Sequence, residues 1–329
     1  MKVMDTWERI LLALLALVYL GCGWGIDGFL SPYALADSTY NFSEKTLIAL
    51  AMALLVMAGE IDLSIAATMA LSSLAMGLAM QAGASLELML LCAILTGLAC
   101  GALNGWLVTR WKLPSIVVTI GTLSLYRGVA QVTLGDQAIT GYPPTLVLWG
   151  NGTLGEWLGW SGWMVPIEFA FMLVMTVCVS LFLHATVHGR RIYAIGANAV
   201  TARFSGIAVD HYKWALFTFA GLMAALAAIL LTGRIGSTRP NLAMGWELDA
   251  ITIVILGGVS IQGGQGSVLG TVLAAVLLGT LTFALGMLNI ASIVVSMLVG
   301  ALLIVAMVLP QYVPRWFKSS DRETREGGR

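Results

Sequence analysis

The chain is short of charge. Only 10% of its residues are Asp, Glu, Lys or Arg, where a soluble domain carries about 25%, and 17 basic residues balance 17 acidic ones. A formal net charge of zero removes the electrostatic case for nucleic-acid binding. The four cysteines, Cys22, Cys92, Cys100 and Cys178, sit in apolar stretches without C-x-x-C spacing. That indicates neither a metal site nor a disulfide framework, and all four read as small core hydrophobes. The three histidines, His184, His188 and His211, fall near one polar segment, and no H-E-x-x-H or Ser/His/Asp constellation accompanies them. There is no G-x-x-x-x-G-K-[ST] phosphate loop. No catalytic residue, metal ligand or bound cofactor is therefore assigned.

What the chain has in excess is apolar surface: 59% of its residues are hydrophobic, and its mean hydropathy is +0.90. No soluble fold has the interior to hide that. Ile10–Leu20, Met172–Leu183 and Ile290–Leu309 are free of charge; the last reaches the roughly 20 residues that cross about 30 Å of hydrocarbon, and the other two are the centres of longer apolar stretches. An all-α integral membrane protein of about ten transmembrane helices follows, forming one transmembrane domain over 1–329. Spans are expected near 8–26, 45–59, 63–82, 87–108, 113–134, 164–184, 214–232, 247–262, 267–287 and 291–309.

An even number of spans puts both termini on one side. Lys2, Arg9, Arg110, Lys112, Arg190, Arg191, Arg203, Lys213 and the tail residues Arg315, Lys318, Arg322, Arg325 and Arg329 share that face, against Lys45, Arg234 and Arg239 opposite. The positive-inside rule makes the termini, the loop 185–213 and the tail 310–329 cytoplasmic. Trp149, Trp157, Trp160 and Trp163 lie in or beside the outer segment 135–163, as an interfacial aromatic belt would.

Two spans are interrupted. Thr46–Ala58 makes only roughly 20 Å of helix at about 1.5 Å per residue before Gly59-Glu60-Ile61-Asp62-Leu63-Ser64. Carboxylates at membrane depth cost about 2.5–3.5 kcal/mol each unless they face protein or water. Glu60, Asp62 and Ser64 therefore either border the transport path or form a surface turn in which Asp62 and Ser64 cap the next helix. Leu248–Ile261 is short in the same way and meets Gln262-Gly263-Gly264-Gln265-Gly266-Ser267. Ser64 then pairs with Ser267, Thr68 with Thr271, and Leu74 with Leu277, a weak internal repeat of the kind that marks the substrate path in repeat-built transporters. Gln262, Gln265 and Ser267 join the pathway candidates. So does Arg127, the one basic residue well inside a span, which either snorkels to the outer interface or contacts substrate.

Between the sixth and seventh spans, residues 188–198 are basic but carry Tyr193 and Ile195, and Thr201-Ala202-Arg203-Phe204-Ser205-Gly206-Ile207 follows. A short amphipathic helix on the membrane face, ended by Gly206, accounts for that mixture. This loop, the 59–64 motif, Leu113-Pro114-Ser115-Ile116-Val117-Val118-Thr119-Ile120-Gly121-Thr122 and the glycine segment 257–270 together resemble the permease subunits of ribose-type ABC sugar importers, over roughly residues 45–310. Glu60 departs from the family's usual Gly-Gly-Ile-Asp-Leu-Ser. With Gly236-Ser237-Thr238-Arg239-Pro240 and Gly245-Trp246-Glu247-Leu248, the chain looks most like the rhamnose importer permeases.

The resemblance implies a multi-pass protein of the bacterial inner membrane, two permease chains around one pore, a cytoplasmic ABC ATPase that uses the ATP, and a periplasmic sugar-binding protein. It places ATPase coupling on Asn198–Ile207, with Arg203 anchoring by charge, Phe204 and Ile207 supplying buried contact, and Asn198, Ser205 and Gly206 as further candidates in the segment. Two other classes stand beside it. An ion-coupled secondary sugar transporter would need titratable carriers, for which Glu60, Asp62 and Asp249 are available. An integral-membrane enzyme would need convergent acid–base groups, which the sequence lacks.

Overall fold

A computed structural model describes residues 6–160, 163–291, 293–301 and 304. Fourteen helices have defined ends among them: α1 (Thr6–Gly25), α2 (Pro32–Thr39), α3 (Ser43–Met57), α4 (Ile65–Gln81), α5 (Leu86–Arg110), α6 (Ser115–Leu134), α7 (Pro144–Asn151), α8 (Leu154–Leu158), α9 (Ile167–Ala185), α10 (Val187–Ala197), α11 (Ala199–Phe204), α12 (Val209–Ile235), α13 (Trp246–Leu256) and α14 (Val268–Met287). Residues 293–301 are helical as well. Two short strands, β1 (Ile139–Thr140) and β2 (Ser237–Thr238), pair antiparallel, with Ile139 opposite Thr238.

Among the described residues, seven helical stretches are long and apolar enough to cross a membrane: α1, α2 and α3 taken together as Pro32–Met57, α5, α6, α9, α12 and α14. The expected ten are therefore met only in part. The helix α4 has 17 residues and α13 only 11, and the tenth expected span, 291–309, as well as the tail 310–329, lies partly or wholly outside the described residues. The expected span 247–262 is cut short because Gly258 adopts φ +84° and turns the chain after Leu256, a conformation that costs glycine no Cβ clash. Of the cysteines, only Cys100 is buried and Cys178 is exposed, so the core reading holds for one and fails for the other.

The helix α3 is the axis of the bundle. Every residue from Thr46 to Met57 is buried, as expected of a helix apolar on all sides, and it packs against α9, α12, α13 and α14. The most extensive helix pair is α5 with α12. Gly97, Gly101 and Gly105 recur every four residues on α5 and lie against Phe217, Gly221 and Ala225 of α12. Without side chains on that stripe the backbones approach closely, the small-xxx-small packing that holds helices together in lipid.

Candidate functional site

The two interruptions are built alike and meet at one end of the bundle. After α3, the N–H groups of Gly59 and Glu60 return to the carbonyls of Val56 and Leu55; after α13, those of Gly258 and Val259 return to Ile255 and Val254. Each glycine has positive φ, +80° at Gly59 and +84° at Gly258, so both helices end in the same Schellman turn. Ser64 and Ser267 then stand at the N-cap positions of α4 and α14. The second connection is longer, which is why the sequence register drifts between the halves. A backbone hydrogen bond from Gly264 N to Met57 O, 2.8 Å, ties one break to the other.

The side chains of the first break point apart. Glu60 forms an ion pair with Lys213 of α12, partly buried. Asp62 is buried, and its Oδ1 accepts from the Ser64 N–H at 2.8 Å and the Ser64 hydroxyl at 2.6 Å. Ser64 Oγ in turn accepts from Asn104 Nδ2 at 2.8 Å, and Asn104 Oδ1 accepts from the Tyr126 hydroxyl at 3.3 Å. Asp62 therefore braces the entry to α4, while Ser64 spends its hydroxyl on this chain instead of capping.

At the second break, Gln262 Oε1 accepts from Ser260 Oγ at 3.0 Å, and Gln265 is exposed. Ser267 caps α14 through Gly270 N and donates to Glu8 Oε1 at 2.5 Å, while Trp7 donates to Leu256 O at 2.8 Å. The helix α1 thus fastens this break, a role no local motif announces.

Both breaks rest on α10. Tyr193 donates to Gly266 O at 2.8 Å, and burial pushes its phenol above the ordinary value, which keeps it a neutral donor. Gly196 lies so close to Met57 and Gly264 that a Cβ there would collide with both backbones. The expected single helix of the loop is in fact two. Asn198 ends α10 and caps α11 by accepting from Thr201 N at 2.9 Å; Gly206, at φ +80°, closes α11. Phe204 is 89% exposed at the end of α11, beside exposed Ser205 and half-buried Ile207. Arg203 is not free: it pairs with Asp210 at 2.8 Å, and Lys112 shares that carboxylate at 2.6 Å.

Arg127 belongs to neither break. Its Nη1 donates to Pro240 O at 2.8 Å and Leu242 O at 2.7 Å, holding the loop after β2. It lies twelve residues beyond Ser115 on α6, roughly 18 Å along the helix, whereas Ser115 and Thr119 touch the first break through Ile61 N and Ile61 O. The same far end holds Arg234, bidentate to Glu44 at 2.8 Å on each oxygen and 3.9 Å from Glu168. Sequence reasoning missed this cluster, as it missed the 97/101/105 glycine stripe. The first leaves no local signal, whereas the second was legible as G-x-x-x-G-x-x-x-G. Among the described residues no group of three or more His, Cys, Asp or Glu could hold a metal ion.

Two broken helix pairs, tied to each other and resting on α10 at the basic end, are the arrangement expected of the membrane-spanning subunit of a transport system. The chain belongs to the family described as branched-chain amino acid transport system / permease component, which matches residues 34–307. It is a multi-pass membrane permease of a bacterial ABC importer, a subunit that transports and does not catalyse, working with an ATPase and a binding protein. It is 35% identical over 308 residues to the autoinducer 2 import system permease protein LsrD of Photorhabdus laumondii, covering 92% of this chain and 90% of that one. To the protein of the same description in Escherichia coli K12 it is 34% identical over 315 residues, covering 94% and 93%. No solved structure matches it. The ion-coupled alternative gives way to this family membership. Neither relative is described as a rhamnose permease.

Proposed function

We propose that this chain forms half of a pore that imports a monosaccharide, rhamnose or a close relative, with its basic end in the cytoplasm and a second permease chain completing the path. The observation that carries the reading is the seating of α10 on both interruptions at once. A push on α11 from below would reach the ends of α3 and α13 and the starts of α4 and α14 through Tyr193, Gly196 and Gly264. The exposed Phe204 supplies the apolar contact that an ATPase groove would bury, with Asn198, Ser205, Gly206 and Ile207 shaping its presentation and Arg203 modulating it from its pair with Asp210. Glu60, Asp62, Ser64, Gln262, Gln265 and Ser267 line or support the cytoplasmic mouth of the path, and Arg127 shapes the loops at its outer mouth. Import of autoinducer 2 is the second reading, favoured by the names of the relatives.

One experiment addresses both the coupling and the cargo. The complex is purified with its ATPase and binding protein, and ATP hydrolysis is measured with rhamnose and with autoinducer 2, for wild type and for Phe204→Asp. The variant is expected to insert normally and lose the ATPase, while the cargo that stimulates wild type decides between the two readings. Normal ATPase association by Phe204→Asp would place coupling elsewhere.

A further inference from the structure

A cavity of about 720 Å³ opens between α9, α10 and α12 at the basic end, a size in the ordinary range of about 300–1,000 Å³ for ligand pockets. Met175, Val179, Leu216 and Phe219 form its walls, and they are wholly apolar. His188, Arg191, His211 and Tyr212 line it as well, and three of them form a polar edge. There, Tyr212 Oη accepts from Arg191 Nη1 at 2.8 Å and lies 2.8 Å from His188 Nδ1. The Phe182 ring stacks on His188 with centroids 6.1 Å apart.

The charges around this edge do not balance. Lys112 and Arg203 share Asp210, and Lys213 has Glu60. No carboxylate lies within 4.0 Å of Arg191 among the described residues, although the side chain is exposed and only one of its N–H groups has a recorded protein acceptor. A guanidinium offers five donors in a planar fork suited to phosphate. A cationic edge on a cavity with apolar walls fits a molecule with an anionic head and a hydrocarbon body.

We propose that this cavity binds one anionic phospholipid, its phosphate on Arg191 and Tyr212 and an acyl chain between α9 and α12. Basic pockets between transmembrane helices take anionic head groups in this manner. The lipid would brace α10, the helix on which both breaks rest, against α12. The inference requires only that the chain lies in a membrane with this end at the interface; it does not depend on the cargo or on ATPase docking.

The test uses the full-length chain in neutral detergent. Phosphatidylglycerol, phosphatidylcholine or inorganic phosphate is added, and binding is followed by native mass spectrometry and by the rise in melting temperature. Phosphatidylglycerol should bind and protect, and the other two should not. Arg191→Gln should weaken it about fivefold, in keeping with about 1 kcal/mol per basic side chain at an anionic surface. Cys178→Trp places a ring in the cavity from an exposed lining position and should abolish retention with Arg191 intact. Equal binding of the two lipids, protection by phosphate alone, or unchanged retention in both variants would overturn the proposal. So would loss of the lipid site to a second copy of the chain, seen as a dimer that Cys178→Trp dissociates.

Discussion

Replacing Gly101 by alanine is the most direct test of how this bundle is held. The added methyl would lie 3.0 Å from both Gly221 N and Phe217 C, and nearer still to the Phe217 carbonyl oxygen. Contacts of this kind are most favourable at about 3.5–4.0 Å, so α5 and α12 must part by at least roughly 0.5 Å. Overpacking costs about 1–3 kcal/mol, while alanine recovers about 0.5–1 kcal/mol of helix propensity over glycine. The net expectation is a loss of about 1–2 kcal/mol, or a melting temperature lower by roughly 2–8 °C for a large domain. Gly21 is the internal control: it lies on α1 with nothing within 4 Å of a built Cβ, so Gly21→Ala should leave melting unchanged or raise it. The damage should also reach function, because Asn104, one turn beyond Gly101, bonds Ser64 at the first break. The assay is thermal unfolding of the purified chain in detergent, followed by uptake in reconstituted complexes. Equal melting of Gly101→Ala and Gly21→Ala would refute the close-packed stripe.

Other perturbations separate structural from functional roles. Arg234→Met strands the buried Glu44 without its cation and should cost about 3–5 kcal/mol, whereas Glu168→Gln removes a surplus carboxylate and should be harmless; wild-type melting by Arg234→Met would show that the cluster bears no weight. Asp62→Asn keeps an oxygen for the Ser64 N–H and should lose only a fraction of the ~1 kcal/mol of a cap, while Asp62→Ala leaves a buried donor unpaired at about 1–3 kcal/mol. Uptake that falls in Asp62→Asn at unchanged melting would assign the charge itself to transport; unchanged uptake leaves Asp62 as a brace.

Long apolar runs carried most of the architecture in plain view. The expected spans 8–26 and 113–134 became Thr6–Gly25 and Ser115–Leu134, since a helix in lipid must satisfy its own backbone and has few other choices. The helix α2 escaped because Pro32–Thr39 is short and mixed in polarity, although Ser31 as N-cap and Pro32 as first residue were signals in hand. The span 247–262 was overdrawn because Val259 and Ile261 continue the apolar pattern past the turn at Gly258. Of the site, both interruptions were legible as short helices running into polar, glycine-rich stretches. Their partners were not: Lys213 lies 153 residues from Glu60, and Glu8 lies 259 from Ser267. Pairings of that range belong to the folded packing and leave no trace in local spacing.

The placement of α3 at the centre sets a clock on synthesis. Glu44 enters the membrane early, but the guanidinium that neutralises it lies 190 residues further along the chain. At about 5–20 residues per second, roughly 10–40 s of translation separate the carboxylate from its cation, and α12 and α13, which cover α3, are finished no sooner. Until then the carboxyl at the tip of α3 lacks the cation that balances it in the folded bundle, and a lone carboxyl in an apolar setting takes up a proton instead of staying charged, so the ion pair can form only when the second half of the bundle arrives.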